Sequence, residues 1–248
     1  MSGAVRVAGL THHYGDRRIL NGVDLTVADA TLVALVGPTG CGKSTILRIL
    51  AGLLAPSAGT ATIGGHSTIT IPGRAAFMPQ GDTLLPWRTA LRNATLAARI
   101  ARDDPAAAET RARTLFRRFG LAGFEDAWPS QLSGGMRQRV ALLRTVLLDR
   151  PVLLLDEPFG ALDQITRGDL QGWFTQLLAA GRHTTLLVTH DIDEALRLAD
   201  EVVILSPRPG RVVDRINVDE PRPRHPARLT EPDFAMMKRR VLTALQPG

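Results

Sequence analysis

The sequence predicts an α/β fold with a parallel sheet at its core, an antiparallel β portion towards the start and a helical segment inserted midway. Three observations lead there. Short apolar runs recur at residues 32–36, 152–155, 185–188 and 202–205, the pattern of strands buried on both faces. Stretches of helical periodicity alternate with these runs, as in a sheet built from strand–helix–strand units. Residues 37–45 read Gly-Pro-Thr-Gly-Cys-Gly-Lys-Ser-Thr, with a strand-like run before them and, at Ile46, Leu47, Ile49, Leu50 and Leu53, helical spacing after them.

Along the chain, residues 4–10 and 23–27 read as strands separated by a turn at Gly15-Asp16. Residues 60–63 and 68–71 read as a hairpin about Gly64-Gly65. Residues 75–78 form another short strand that ends at Pro79-Gln80. From 91 to 119 the chain is rich in Ala, Arg and Leu and reads as helices broken near Asp103-Asp104-Pro105. An amphipathic helix follows Ser133-Gly134-Gly135, with Val140, Leu143 and Leu147 on one face. Helices near 164–180 and 193–198 separate the last three strands, and residues 229–245 hold a short helix. The region between Gln80 and Pro151 reads as an insertion into the α/β core. No internal repeat or low-complexity segment is visible.

Length and composition bound the rest. A chain of 248 residues fits one large domain or two small ones, and 44% apolar residues suffice for a packed core. The apolar runs are too short to cross a bilayer, and residues 1–15 lack the pattern of a signal peptide. One cysteine, Cys41, permits no internal disulfide and suits a cytosolic location. The net charge of +6 comes almost wholly from arginine, since Lys43 and Lys238 are the only lysines. No extended basic run marks a nucleic-acid-binding arm, and none is expected to bind. The densest basic region, 208–228, is proline-rich and reads as a solvated tail.

The residues Gly37, Pro38, Thr39, Gly40, Cys41, Gly42, Lys43, Ser44 and Thr45 fit G-x-x-x-x-G-K-[ST], a loop that holds a nucleoside triphosphate. Glycines let the backbone close around phosphate oxygens, and the unpaired N–H groups of the helix start face the anion. Lys43 brings a point charge to the β/γ-phosphates and Ser44 a hydroxyl for Mg²⁺. Cys41 reads as a small side chain that fits the loop, not as a nucleophile. Asp156 and Glu157 end a buried strand at its carboxyl edge, where ligands bind in open α/β sheets. One suits Mg²⁺ and the other an attacking water. His190 ends the 184–189 run in the same way, facing the same crevice, and Gln80 follows a strand likewise. Residues 132–139, Leu-Ser-Gly-Gly-Met-Arg-Gln-Arg, are a second glycine-rich helix start and so a second anion site. One chain has a single complete phosphate loop, and a two-fold dimer would let each second site cover the other chain's nucleotide.

Together these residues strongly resemble the ATP-binding cassette (ABC) ATPases. Residues 132–138 match that family's signature, and the order of phosphate loop, Gln80, signature, Asp156-Glu157, Ala161-Leu162-Asp163 and His190 matches as well. The resemblance, over roughly residues 4–215, implies a P-loop NTPase fold: a RecA-like parallel sheet with an antiparallel β subdomain and an inserted helical signature subdomain. It implies an ATPase domain at 1–225, a helical insertion at about 81–150, and a C-terminal tail at 226–248. It further implies that Tyr14 stacks on adenine, that Lys43 and its loop bind ATP, and that Ser44, Gln80 and Asp156 serve Mg²⁺. By the same resemblance Glu157 is the general base and His190 holds the γ-phosphate and water. Ser133, Gly134 and Gly135 then close the partner's site, and Asp163 lies at the interface of a homodimer.

Residues 83–87, 157–163 and 205–211 also look like one importer branch, the one serving nitrate, taurine, other aliphatic sulfonates and thiamine-precursor pyrimidines. That implies integral membrane permease subunits as partners, an extracytoplasmic solute-binding protein acting through them, and a peripheral place on the cytoplasmic face of the bacterial membrane. Ala30-Thr31 departs from the family's usual Gly-Glu, and Arg88 and Ala90 stand where aliphatic residues are usual. Trp87, Leu84 and Leu85 read equally as an apolar docking patch or as core. A non-transport ABC ATPase and an importer of another solute stand as the alternatives.

Overall fold

A computed structural model describes residues 3–100, 104–179 and 183–246 of the chain. Strands β1 (Val5–Tyr14) and β2 (Arg17–Val27) form a long antiparallel hairpin that turns at Gly15-Asp16, as the sequence predicts. Both strands run further than expected, through three register shifts that bend the pair. Strand β4 (Ala58–Ile63) pairs with the other side of β1, and the two-residue β5 (His66–Ser67) closes this sheet in the order β2-β1-β4-β5. The hairpin about Gly64-Gly65 is present, but its second arm is not 68–71. Buried Thr68 turns the chain away, its N–H and hydroxyl both bonded to the Ala61 carbonyl, and Ile71 N–H closes a turn onto Thr68.

The second sheet has six strands. β9 (Glu201–Leu205), β3 (Leu32–Val36), β8 (Thr184–Val188), β7 (Val152–Asp156) and β6 (Ala76–Met78) run parallel in that spatial order, and β10 (Val212–Asn217) pairs antiparallel with β9 at one edge. Alternate residues go to opposite faces. Leu32, Ala34, Val36, Leu153 and Leu155 enter one core, while Val33, Leu35, Val152 and Leu154 enter the other. The second core is filled from the far side by the antiparallel sheet and by helix α1 (Lys43–Leu50), which is sandwiched between the sheets through Ile46, Leu47, Ile49 and Leu50.

The first core belongs to α2 (Ala90–Ala94), α4 (Pro105–Arg118), α5 (Gly134–Leu147), α6 (Gln164–Ala179), α7 (Ile192–Leu198) and α8 (Pro232–Leu245), while the short α3 (Leu96–Ile100) lies beside α2, α4 and α5 and buries Ala98. Asp104 caps α4 by accepting the Ala106 N–H at 3.0 Å, and Pro105 occupies the first turn, where no donor is lost. Asp103, named in the expected break, and Ala180, in the expected helix end, lie outside the described residues.

Residues 208–228 correct the expectation of a solvated tail. They supply the edge strand β10 and a buried arginine, Arg224, 4% exposed. Its guanidinium donates to the carbonyls of Leu196 at 3.1 Å, Ala199 at 2.7 Å and Val218 at 3.0 Å. Carbonyls at a helix end have no partner within the helix, so α7 ends on this side chain. Beyond it, α8 carries Phe234 and Val241 into the core.

Candidate functional site

The phosphate loop runs from the carboxyl end of β3 to the start of α1 and depends on glycine at two places. Gly42 has φ +107°, and a Cβ there would lie 2.4 Å from Leu20 Cδ2. A Cβ on Gly37 would meet Cys41 Sγ at 2.8 Å and the Leu205 carbonyl at 3.0 Å. Lys43, 8% exposed, crosses the loop, and its ammonium donates to the carbonyls of Gly37 at 2.7 Å and Pro38 at 3.0 Å. Cys41 is fully buried beneath, and burial pushes its thiol above the ordinary value, against the pull of the Lys43 charge.

The carboxyl ends of the neighbouring strands complete the cleft. Tyr14, Ile19, Thr39, Gly40, Gly42, Lys43, Ser44, Thr45, Gln80, Glu157, His190 and Arg208 line a volume of about 340 Å³. Glu157 is the focus of the polar contacts. Gln80 Nε2 donates to its Oε2 at 3.2 Å, and His190 Nδ1 lies 3.2 Å from its Oε1. Glu157 has φ +51°, left-handed backbone that costs a non-glycine residue energy, and such strain gathers at functional positions. The amide of Gln138, on the signature helix α5, holds this turn by donating to the carbonyls of Glu157 at 3.0 Å and Pro158 at 3.3 Å.

Asp156 is 2% exposed at the end of β7. Burial lifts its carboxyl above the usual carboxylate range, while a hydrogen bond with Ser44 and the charges of Arg48 and Lys43 pull the other way. A buried carboxylate beside a serine hydroxyl is a hard oxygen pair suited to Mg²⁺, and Gln80, bonded to Glu157 through its nitrogen, has its amide oxygen for the same ion. Among the described residues no three His, Cys, Asp or Glu side chains form a metal cage.

The signature residues stand apart from this cleft. Ser133 caps α5, its hydroxyl accepting the Met136 N–H at 3.2 Å. Gly135 packs against the Ala161 carbonyl, where a Cβ would be 3.3 Å away, and so lies beside the turn that carries Asp163. Asp163 caps α6, and the Thr166 N–H it accepts at 3.0 Å holds its carboxyl below the usual range. Ser133, Gly134, Gly135 and Asp163 therefore line none of their own chain's phosphate cleft.

The sequence matches the ABC transporter family model over residues 20–160. The chain belongs to the ABC transporter family. An aliphatic sulfonates import ATP-binding protein, SsuB 1 of Rhodococcus jostii (strain RHA1), is 46% identical over 88% of the cassette and 85% of that relative. SsuB 2 of Rhizobium johnstonii is 41% identical over 98% of the cassette and 91% of that protein. Among solved structures, the dimeric cassette MJ0796 superposes with a TM-score of 0.79 at 29% identity, over 87% of the cassette and 99% of that chain. Its post-hydrolysis dimer bound to ADP and Pi superposes at 0.78 with 28% identity, over the same shares. The cassette is thus an ATPase with the P-loop fold, an antiparallel β part and helices between β6 and β7. ATP is its ligand.

Sequence reasoning missed several contributors. Ile19 and Arg208 line the cleft from the antiparallel sheet and the β9–β10 turn, remote stretches that no local motif flags. Arg137 and Arg144 of α5 clasp the segment after Gln80: Arg137 pairs with Asp82 at 2.8 Å, and Arg144 donates to the carbonyls of Asp82 and Thr83, both at 3.0 Å. Arg137 lies within the signature, so it was findable, but its partner was not.

Proposed function

We propose that this chain is the ATP-hydrolysing subunit of an importer for aliphatic sulfonates or a related small solute such as taurine, nitrate or a thiamine-precursor pyrimidine. It acts as a homodimer on permease subunits at the cytoplasmic face of the bacterial membrane, with an extracytoplasmic binding protein delivering the solute. The observation that carries the reading is the split between the two anion sites. The phosphate loop, Gln80, Glu157 and His190 converge on one cleft, and the signature of the same chain lies outside it. A second copy, as in the dimeric relatives, would bring Ser133 of the partner subunit and Gly135 of the partner subunit onto the ATP.

In this reading Tyr14 stacks on adenine and Lys43 neutralises charge on the β/γ-phosphates. Glu157, aligned by Gln80 and His190, orients a water and takes its proton during in-line attack. Ser44, Gln80 and Asp156 would hold Mg²⁺, which when bound offsets charge developing on the γ-phosphate. His190 holds the γ-phosphate side of the cleft, and Asp163 lies at the subunit boundary. Loss of the γ-phosphate removes what joins the halves.

The ATPase unit is assigned to 1–225, its helical insertion to about 81–150, and residues 226–248 to a C-terminal element. The segment from Gln80 to Trp87 passes the motion to the permease. Here the two sequence readings divide by residue: Leu84 is buried at 9% exposure, while Trp87 stands out at 68%. No helix among the described residues is long and apolar enough to cross a membrane.

Glu157→Gln tests the dimer. The variant should bind ATP, turn it over at least about 100-fold more slowly, and sediment as a dimer only with ATP; a strictly monomeric variant at saturating ATP would reject the shared site. Deleting the gene in its host should abolish growth on aliphatic sulfonates as sulfur source. Unimpaired growth there would reject the cargo and leave the ATPase standing.

A further inference from the structure

The turn between β9 and β10, residues 206–211, is docked on the phosphate loop, and one side chain in it has no place in the mechanism above. Gly210 N–H donates to the Ile19 carbonyl at 2.8 Å, and Asn21 N–H donates to the Gly210 carbonyl at 3.1 Å. Gly210 also packs so tightly on the loop that a Cβ would fall 2.1 Å from the Cys41 carbonyl oxygen. Within the turn, Ser206 N–H donates to the Arg211 carbonyl at 2.9 Å, and Ser206 Oγ accepts the Arg211 N–H at 3.1 Å. Prolines at 207 and 209 restrict the backbone on both sides of Arg208. The backbone under Arg208 is therefore held before any ligand arrives.

Arg208 lines the nucleotide cleft with Tyr14 and Lys43. It has no hydrogen bond or ion pair among the described residues, whereas Arg137, Arg144, Arg222 and Arg224 are all engaged. A guanidinium has five donors, no acceptor and a permanent charge, and its forked geometry matches phosphate. Position along the cleft decides which phosphate. The turn is bonded to Ile19 and Asn21, on the strand whose hairpin partner ends at Tyr14, which is the base end. In the proposed function Lys43, Glu157 and His190 serve the γ-phosphate, and Tyr14 serves the base.

We propose that Arg208 is a nucleotide-binding residue that pairs with the α-phosphate of ATP and of ADP. This rests on the ATPase reading and adds to it a cation on the side of the nucleotide that hydrolysis leaves unchanged. ADP therefore keeps the contact after the γ-phosphate has gone.

Calorimetric titration with ATP and with ADP tests it. Arg208→Ala should weaken both by about tenfold, Arg208→Lys should recover most of the loss, and Arg208→Glu should weaken both further. The loss should shrink as salt is raised, because the pair is at a cleft mouth. Arg208 is exposed and bonds to nothing described, so the urea midpoint should not move. Unchanged affinity for both nucleotides, or a loss confined to ATP, would overturn the proposal. A wild-type protein that bound no ATP, or a Lys43→Ala variant that still did, would instead overturn the reading on which it rests.

Discussion

Replacing Gly210 with alanine adds one methyl group to the tip of the β9–β10 turn, and the structure allows its cost to be worked out. The new Cβ would sit 2.1 Å from the Cys41 carbonyl oxygen, a backbone atom that cannot rotate away. Real contacts of this kind start near 3.0 Å, so the turn and the phosphate loop must separate by roughly 1 Å. That separation strains the bonds joining Gly210 to Ile19 and Asn21. Two backbone hydrogen bonds at about 1 kcal/mol each give a loss of about 2 kcal/mol. For a chain of this length that is a fall in Tm of about 4–8 °C. The displaced turn also carries Arg208 away from the cleft, so ATP affinity should fall by about tenfold alongside. Urea unfolding with an unchanged slope, paired with calorimetry, reads both effects. A variant with wild-type midpoint and wild-type ATP affinity would refute the argument that the turn is clamped to the loop.

Three other changes test separate parts of the structure. Ala30 has φ +58° at the turn before β3, left-handed backbone that glycine adopts without a Cβ penalty, so Ala30→Gly should stabilise by about 1 kcal/mol with ATP affinity unchanged; a lower urea midpoint would count against it. Glu194, 6% exposed beneath the His190 turn, has its carboxyl pushed by burial from an ordinary 4.5 to about 7, although Thr189 and Gln171 bond to it. A raised carboxyl favours folding fully below about pH 4.5 and loses that contribution as pH climbs through 7; Glu194→Gln should therefore gain on wild type by up to about 3 kcal/mol between pH 5 and 8, and a pH-independent difference would disprove it. Cys41 is fully buried with its thiol pushed up, so iodoacetamide should label the native chain far more slowly than the urea-unfolded chain, and labelled protein should not bind ATP; rapid native labelling, or a labelled protein that binds, would contradict the loop's geometry.

The α/β core and many residues that line the cleft were legible in the sequence. Strands β3, β7, β8 and β9 were legible because burial on both faces leaves a run of apolar residues that no solvent-facing segment tolerates. Gly37 to Thr45, Gln80, Asp156, Glu157 and His190 were legible because each chemical group sits just beyond such a run, at the ligand-binding edge of the sheet. Tertiary structure decided what depends on distant partners. The arginines and prolines of 208–228 look solvated in one dimension. Arg224 is instead buried because its donors meet helix-end carbonyls, and Gly210 is seated against the Cys41 carbonyl across the sheet. Periodicity records which face of a segment avoids water. It carries no record of which carbonyl, some 25 to 190 residues away, satisfies a donor: Ala199 for Arg224 and Ile19 for Gly210, the second of which brings Arg208 to the nucleotide cleft.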